Sequence, residues 1–142
     1  MEKFAFIIHP LSIHDMAHVS PVLKFIPDSW LESALKLKKP FQVSHITGIK
    51  SPYAEAEGWF IGCPLTSKQM VEKFVMDRII ESGKIAQELG AKVVGLGAFT
   101  SIVGDAGITV AKNLDIAVTS GNSYTVATAL EGTREAVRLM GK

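Results

Sequence analysis

Residues 66–96 constrain the fold more than any other stretch. Thr66-Ser67-Lys68-Gln69 has the form of a capping box, in which the Thr66 hydroxyl accepts from the Gln69 amide and the Gln69 side chain reaches back. Val71, Val75, Ile79, Ala86 and Leu89 then recur at helical spacing, and Gly90 follows as a helix stop. Just beyond it, residues 92–96 (Lys-Val-Val-Gly-Leu) form an apolar run too short for a helix and suited to a buried strand. A helix that delivers the chain into such a strand belongs to an α/β architecture: a mostly parallel sheet flanked by helices.

The remaining elements fit that frame. Residues 4–8 read as a first strand, ended by His9-Pro10. Helical stretches are expected near 13–19 and 29–36, separated by Pro21 and Pro27. Residues 41–50 read as a strand and 57–63 as its hairpin arm, with Trp59, Ile61 and Cys63 on one face. A glycine-rich connection runs from the 92–96 strand through Gly107, with a possible short strand at 108–110 and another strand at 116–118. The last helix is expected over 123–140. Val126, Leu130, Val137 and Leu139 form its apolar stripe, and Glu131–Arg134 and Glu135–Arg138 supply paired charges.

Composition narrows the classes. With 142 residues the sequence is read as a single domain over 1–142. Its 47% hydrophobic and 20% charged residues suit a packed core. A net charge of +1, from 15 basic and 14 acidic residues, offers no basic stripe for nucleic acid. No apolar run reaches the roughly 18 residues of a membrane span. Residues 4–8 lack the flanks of a signal peptide. A single cysteine, Cys63, favours a reducing, cytoplasmic setting.

Three motifs have structural as well as functional readings. His14 and His18 stand at i and i+4 with Asp15 between them, as on a zinc-binding helix, but Asp15 fits a helix cap and no third ligand is placed. Gly95-Leu96-Gly97-Ala98-Phe99-Thr100, with Asp115 farther on, imitates a dinucleotide fingerprint. Thr100 replaces its third glycine, and Gly104 and Gly107 interrupt the helix that should bind pyrophosphate. Cys63 lacks an activating neighbour and reads as a buried structural thiol. No metal, cofactor or catalytic residue is therefore assigned within the chain.

Residues 86–104, which include Leu96-Gly97-Ala98-Phe99-Thr100-Ser101-Ile102-Val103, and residues 119–127, which begin Thr119-Ser120-Gly121-Asn122-Ser123, carry a resemblance. They resemble the N-terminal domain of long-chain acyl-(acyl-carrier-protein) reductases and of related amino-acid or shikimate-type dehydrogenases. Weaker agreement extends through His9, Ser12, His45-Ile46-Thr47-Gly48 and Cys63-Pro64-Leu65, and residues 20–40 depart from the family pattern. The resemblance implies a second domain after the last helix, carrying the NADP(H) loop and the cysteine that forms an acyl thioester. Neither lies within these 142 residues, and Cys63 does not correspond to that nucleophile. The implied reaction is NADPH-dependent reduction of an acyl thioester to an aldehyde, with acyl-carrier protein or coenzyme A as carrier. This chain would form the substrate-side wall of the cleft, inactive alone. The alternatives are a piece of a shikimate-type or amino-acid dehydrogenase and a non-catalytic small-molecule or protein-binding module.

The expected functional surface combines Phe99, Thr100 and Ser101 with Ser120, Gly121, Asn122 and Ser123. Each group follows a predicted strand, and ligands of open α/β sheets gather beyond the carboxyl ends of strands. An alternative role for Asn122 or Ser123 is to cap the last helix. The glycine-rich cleft and the truncated linker also suggest exposed apolar surface and hence a homodimer.

Overall fold

Strand β1 (Glu2–Ile8) alternates along its length. Ala5 and Ile7 are buried, while Phe4, Phe6 and Ile8 point to the other face and are more exposed. The structure is a computed structural model that describes residues 1–13, 26–71 and 74–141. Around β1 lies a five-stranded sheet in the order β2-β3-β1-β4-β5. Strands β3 (Glu55–Gly62), β1, β4 (Val93–Leu96) and β5 (Ala117–Thr119) run parallel. Strand β2 (Phe41–Lys50) pairs antiparallel with β3, closing the expected hairpin at one edge. The fold is thus α/β, with a mostly parallel sheet flanked by helices.

Register decides which residues form the core. Ala5 pairs with Trp59 and Val94, and Ile7 with Ile61 and Leu96, so these six share one face. Helix α2 (Val75–Glu88) covers that face through Val75, Ile79 and Ala86. Fully burying a side chain such as Ile7, Ile61 or Ile79 stabilises the fold by about 1.5–3 kcal/mol each. Helix α2 ends as the sequence indicates. Gly90 takes φ +86, its amide donates to the Gln87 carbonyl, and the Ala91 amide donates to Ala86, a Schellman arrangement. On the opposite face, glycines make room for aromatic rings. Phe4 lies over Gly58, and Phe6 lies over Gly95 and Gly97.

Helix α1 (Asp28–Leu37) matches the stretch expected at 29–36. Gln69 Nε2 donates to the Glu32 carbonyl and Arg78 to the Lys36 carbonyl, and these bonds hold α1 against the elements that follow β3. The helix expected at 13–19 falls almost wholly outside the described residues.

Three expectations need correction. The helix from residue 66 is not continuous: a 3-10 helix (Ser67–Val71) precedes α2. Half of the capping box forms, since the Thr66 amide donates to Gln69 Oε1, but the Thr66 hydroxyl also donates to that oxygen instead of accepting from the Gln69 amide. Three residues per turn shifts the apolar phase, so Met70 is buried and Val71 is 90% exposed. Residues 108–110 are helical, not a strand, and belong to α3 (Ile108–Lys112). Gly107 enters it at φ +93, and the Asp105 carboxylate accepts from the Thr109 amide and hydroxyl, which overrides the β-branched run. Finally, α4 (Asn122–Leu139) has no buried residue, and Val126, Leu130, Val137 and Leu139 are all exposed. Arg138 makes two bonds to Glu135, whereas no ion pair joins Glu131 to Arg134 among the described residues.

Candidate functional site

The topology singles out one crevice. The chain leaves β1 toward β2 at one edge of the sheet and leaves β4 toward β5 at the other edge. Strands β1 and β4 are neighbours, so their carboxyl-end loops diverge between them. Such a switch point is where open α/β sheets hold ligands.

Two loops meet there. His9 follows β1, and a 3-10 helix (Ala98–Ser101) follows β4. The Phe99 amide donates to His9 Nε2 at 3.3 Å, and the two rings meet edge-on with centroids 5.8 Å apart. Gly97 donates to the Ile7 carbonyl at 3.0 Å. Ala98 sits at φ +46, a conformation uncommon for a residue with a side chain.

The expected site residues divide by role. Phe99 is exposed, whereas Thr100 is buried. The Thr100 hydroxyl donates to the Gly97 carbonyl and the Ser101 hydroxyl to the Ala98 carbonyl, each at 2.7 Å. Both hydroxyl protons are therefore spent on the loop, and only oxygen lone pairs remain for a ligand. Ser120, Gly121, Asn122 and Ser123 follow β5 at the same end of the sheet, next to β4. Gly121 takes φ +74 at the N-cap of α4 and no side chain caps that helix, so neither Asn122 nor Ser123 plays the capping role. Thr119 accepts from the Gly121 amide, and the Thr125 hydroxyl donates to the Gly121 carbonyl. No hydrogen bond joins this group to residues 99–101 among the described residues.

The other motifs resolve differently. A Cβ on Gly95 or Gly97 would meet the Phe6 ring within 2.7 Å, so the room those glycines leave is filled by the protein itself. Asp115 lies before β5, at the opposite end of the sheet. It exchanges two hydrogen bonds with Gln87, accepting from Nε2 and donating its amide to Oε1. Cys63 is fully buried and burial pushes its thiol up to about 11; contact with the Ser82 hydroxyl only partly offsets this. His14, Asp15 and His18 lie outside the described residues. Among the described residues no group of three or more His, Cys, Asp or Glu could hold a metal ion.

Two of the cavities among the described residues flank these elements. One of about 120 Å³ opens near the β1 loop, between Leu11, Ser12 and Ile13, the Asp28 and Glu32 side of α1, and Thr66. The larger, about 310 Å³, lies between α1 and α2 and is lined by Lys36, Phe74, Asp77, Arg78 and Glu81. Arg78 is committed there to the Glu81 carboxylate and the Lys36 carbonyl. His9 is the residue that sequence reasoning left out of the site. It appeared as the end of a strand and in the weaker part of the family agreement, and its place beside Phe99 depends on β1 pairing with β4, which sequence spacing does not reveal.

No known protein-family profile matches the chain. It is 31% identical over 137 residues to Aminotransferase PigE of Serratia sp. (strain ATCC 39006). That match covers 87% of this chain and 16% of the relative, so the chain spans less than a fifth of the relative's length. Among the described residues no helix is long and apolar enough to cross a membrane.

Proposed function

We propose that the chain is the substrate- and partner-binding domain of an NADP-dependent reductase that converts an acyl thioester to an aldehyde. The observation that carries this reading is placement. The two segments that resemble acyl-(acyl-carrier-protein) reductases border the carboxyl ends of adjacent parallel strands, β4 and β5. In this reading Phe99 meets the acyl chain. Ser120, Asn122 and Ser123, with the open amides of the first turn of α4, meet the thioester carbonyl. Thr100 and Ser101 shape the loop. NADP(H) supplies hydride from a separate domain, and this chain binds and orients the acyl group. The carrier, acyl-carrier protein or coenzyme A, approaches the same edge. The exposed stripe of α4 offers a face for a second copy, and the reaction is cytoplasmic.

A second reading is a non-catalytic binding module. The likeness to one stretch of a protein named an aminotransferase favours it, since a module that binds acyl or carbonyl compounds could accompany more than one chemistry.

Octanoyl-pantetheine, the acyl-bearing part common to both carriers, tests the site. Phe99→Ala and Asn122→Ala should each weaken its binding about tenfold, roughly 1.4 kcal/mol. The melting temperature should hold in Asn122→Ala, because that side chain caps nothing. Unchanged affinity in both variants would refute the site. Binding without any NADPH-dependent reduction when the cofactor domain is supplied would favour the module.

A further inference from the structure

Both ring nitrogens of His9 are engaged. Nδ1 lies 3.1 Å from the Pro10 carbonyl oxygen and Nε2 lies 3.3 Å from the Phe99 amide nitrogen. The carbonyl can only accept and the amide can only donate. One neutral tautomer satisfies both contacts, with the proton on Nδ1 and the lone pair on Nε2.

The loop that His9 holds is in an unfavourable conformation. Ala98 is at φ +46, and the next residue is Phe99, whose amide points to His9. Such conformations persist when surrounding contacts over-determine them, and they gather at ligand sites. Thr100 and Ser101 bond back only within the loop. From outside, the Ile7 carbonyl accepts from Gly97, and His9 is the one side chain among the described residues that hydrogen-bonds the loop.

We propose that His9, as the Nδ1–H tautomer, is a positioning residue for the ligand site. Its bond to the Phe99 amide holds residues 97–101 so that the Phe99 ring is presented at the switch-point crevice, where an acyl group binds. The acyl group as ligand rests on the function proposed above; the loop-holding role does not.

Long-range proton–nitrogen spectra of the chain at neutral pH should show the Nδ1–H tautomer for His9; the Nε2–H tautomer would overturn the proposal. His9→Ala should speed hydrogen exchange of the Phe99 amide about tenfold. His9→Gln, whose Oε1 can accept in place of Nε2, should restore exchange to within roughly threefold of wild type. Octanoyl-pantetheine affinity should follow the same order, falling about fivefold or more in His9→Ala and recovering in His9→Gln. If His9→Ala does not fold, the wild-type tautomer and the glutamine variant still decide. Unchanged Phe99 exchange in His9→Ala overturns the positioning role. If Phe99 exchange responds but the wild type does not bind octanoyl-pantetheine, the positioning role stands and the acyl reading falls.

Discussion

Gly97→Ala should destabilise the protein more than Gly95→Ala, although both glycines underlie the same ring. A Cβ at Gly97 would lie 2.6 Å from the Ile7 carbonyl oxygen and 2.7 Å from Phe6 Cε1. The same carbonyl accepts the Gly97 amide at 3.0 Å, so the methyl pushes apart the backbones that this bond joins. Overpacking of this kind costs about 1–3 kcal/mol. Weakening the hydrogen bond adds about 1 kcal/mol. The sum, about 2–4 kcal/mol, lowers the melting temperature of a domain this size by roughly 7–13 °C. At Gly95 the added methyl meets only the Phe6 ring, at 2.5 Å, and no backbone atom, and Phe6 is 39% exposed. The cost there should be about 1–2 kcal/mol, toward the lower end for overpacking. Scanning calorimetry of both variants measures the difference. A Gly97→Ala melting temperature within about 2 °C of wild type, or a larger loss in Gly95→Ala, would refute the argument that these glycines exist for close packing around Phe6.

Cys63 gives a pH dependence. Its folded-state thiol stands near 11 against an ordinary 9.0, so above pH 9 the unfolded chain loses a proton that the folded chain keeps. Stability from this group is full below pH 9 and falls between pH 9 and 11, by on the order of 2–3 kcal/mol. Urea titrations at pH 8 and 10.5 should show a smaller fall for Cys63→Ala than for wild type; equal falls would contradict the burial effect. Gln69→Ala removes a buried side chain that bonds both Thr66 and the Glu32 carbonyl, and chemical denaturation should register a loss of about 2–4 kcal/mol. Gly132→Ala, on α4 with nothing near its added methyl, should raise stability by about 0.5–1 kcal/mol, again read by denaturation.

Sequence legibility follows from how local each cause is. The Gly90 stop and the 41–50/55–62 hairpin rest on neighbouring residues and were legible, as was the buried Cys63. The 3-10 turn at Ser67–Val71 was not, because Gln69 answers to Glu32, a residue 37 positions away. The helix at Ile108–Lys112 was hidden because β-branched residues usually signal a strand and Asp105 reverses that preference through a cap. For the candidate site, the strand ends at residues 96 and 119 were near enough to place Phe99 and Ser120 at one edge of the sheet. The pairing of Phe99 with His9 spans 90 residues and no local pattern encodes it. The packing beside Gly95 and Gly97 was hidden for the same reason, because Phe6 fills that room from a strand some ninety residues away.

The central claim is that the carboxyl edge of β1, β4 and β5 binds an acyl thioester. Titration of the isotopically labelled chain with octanoyl-pantetheine, followed by amide chemical shifts, tests it most directly. Saturable shifts should gather at His9, at residues 97–101 and at residues 119–123. Shifts that fail to saturate, or that gather around Lys36 and Arg78 at the larger cavity, would contradict it.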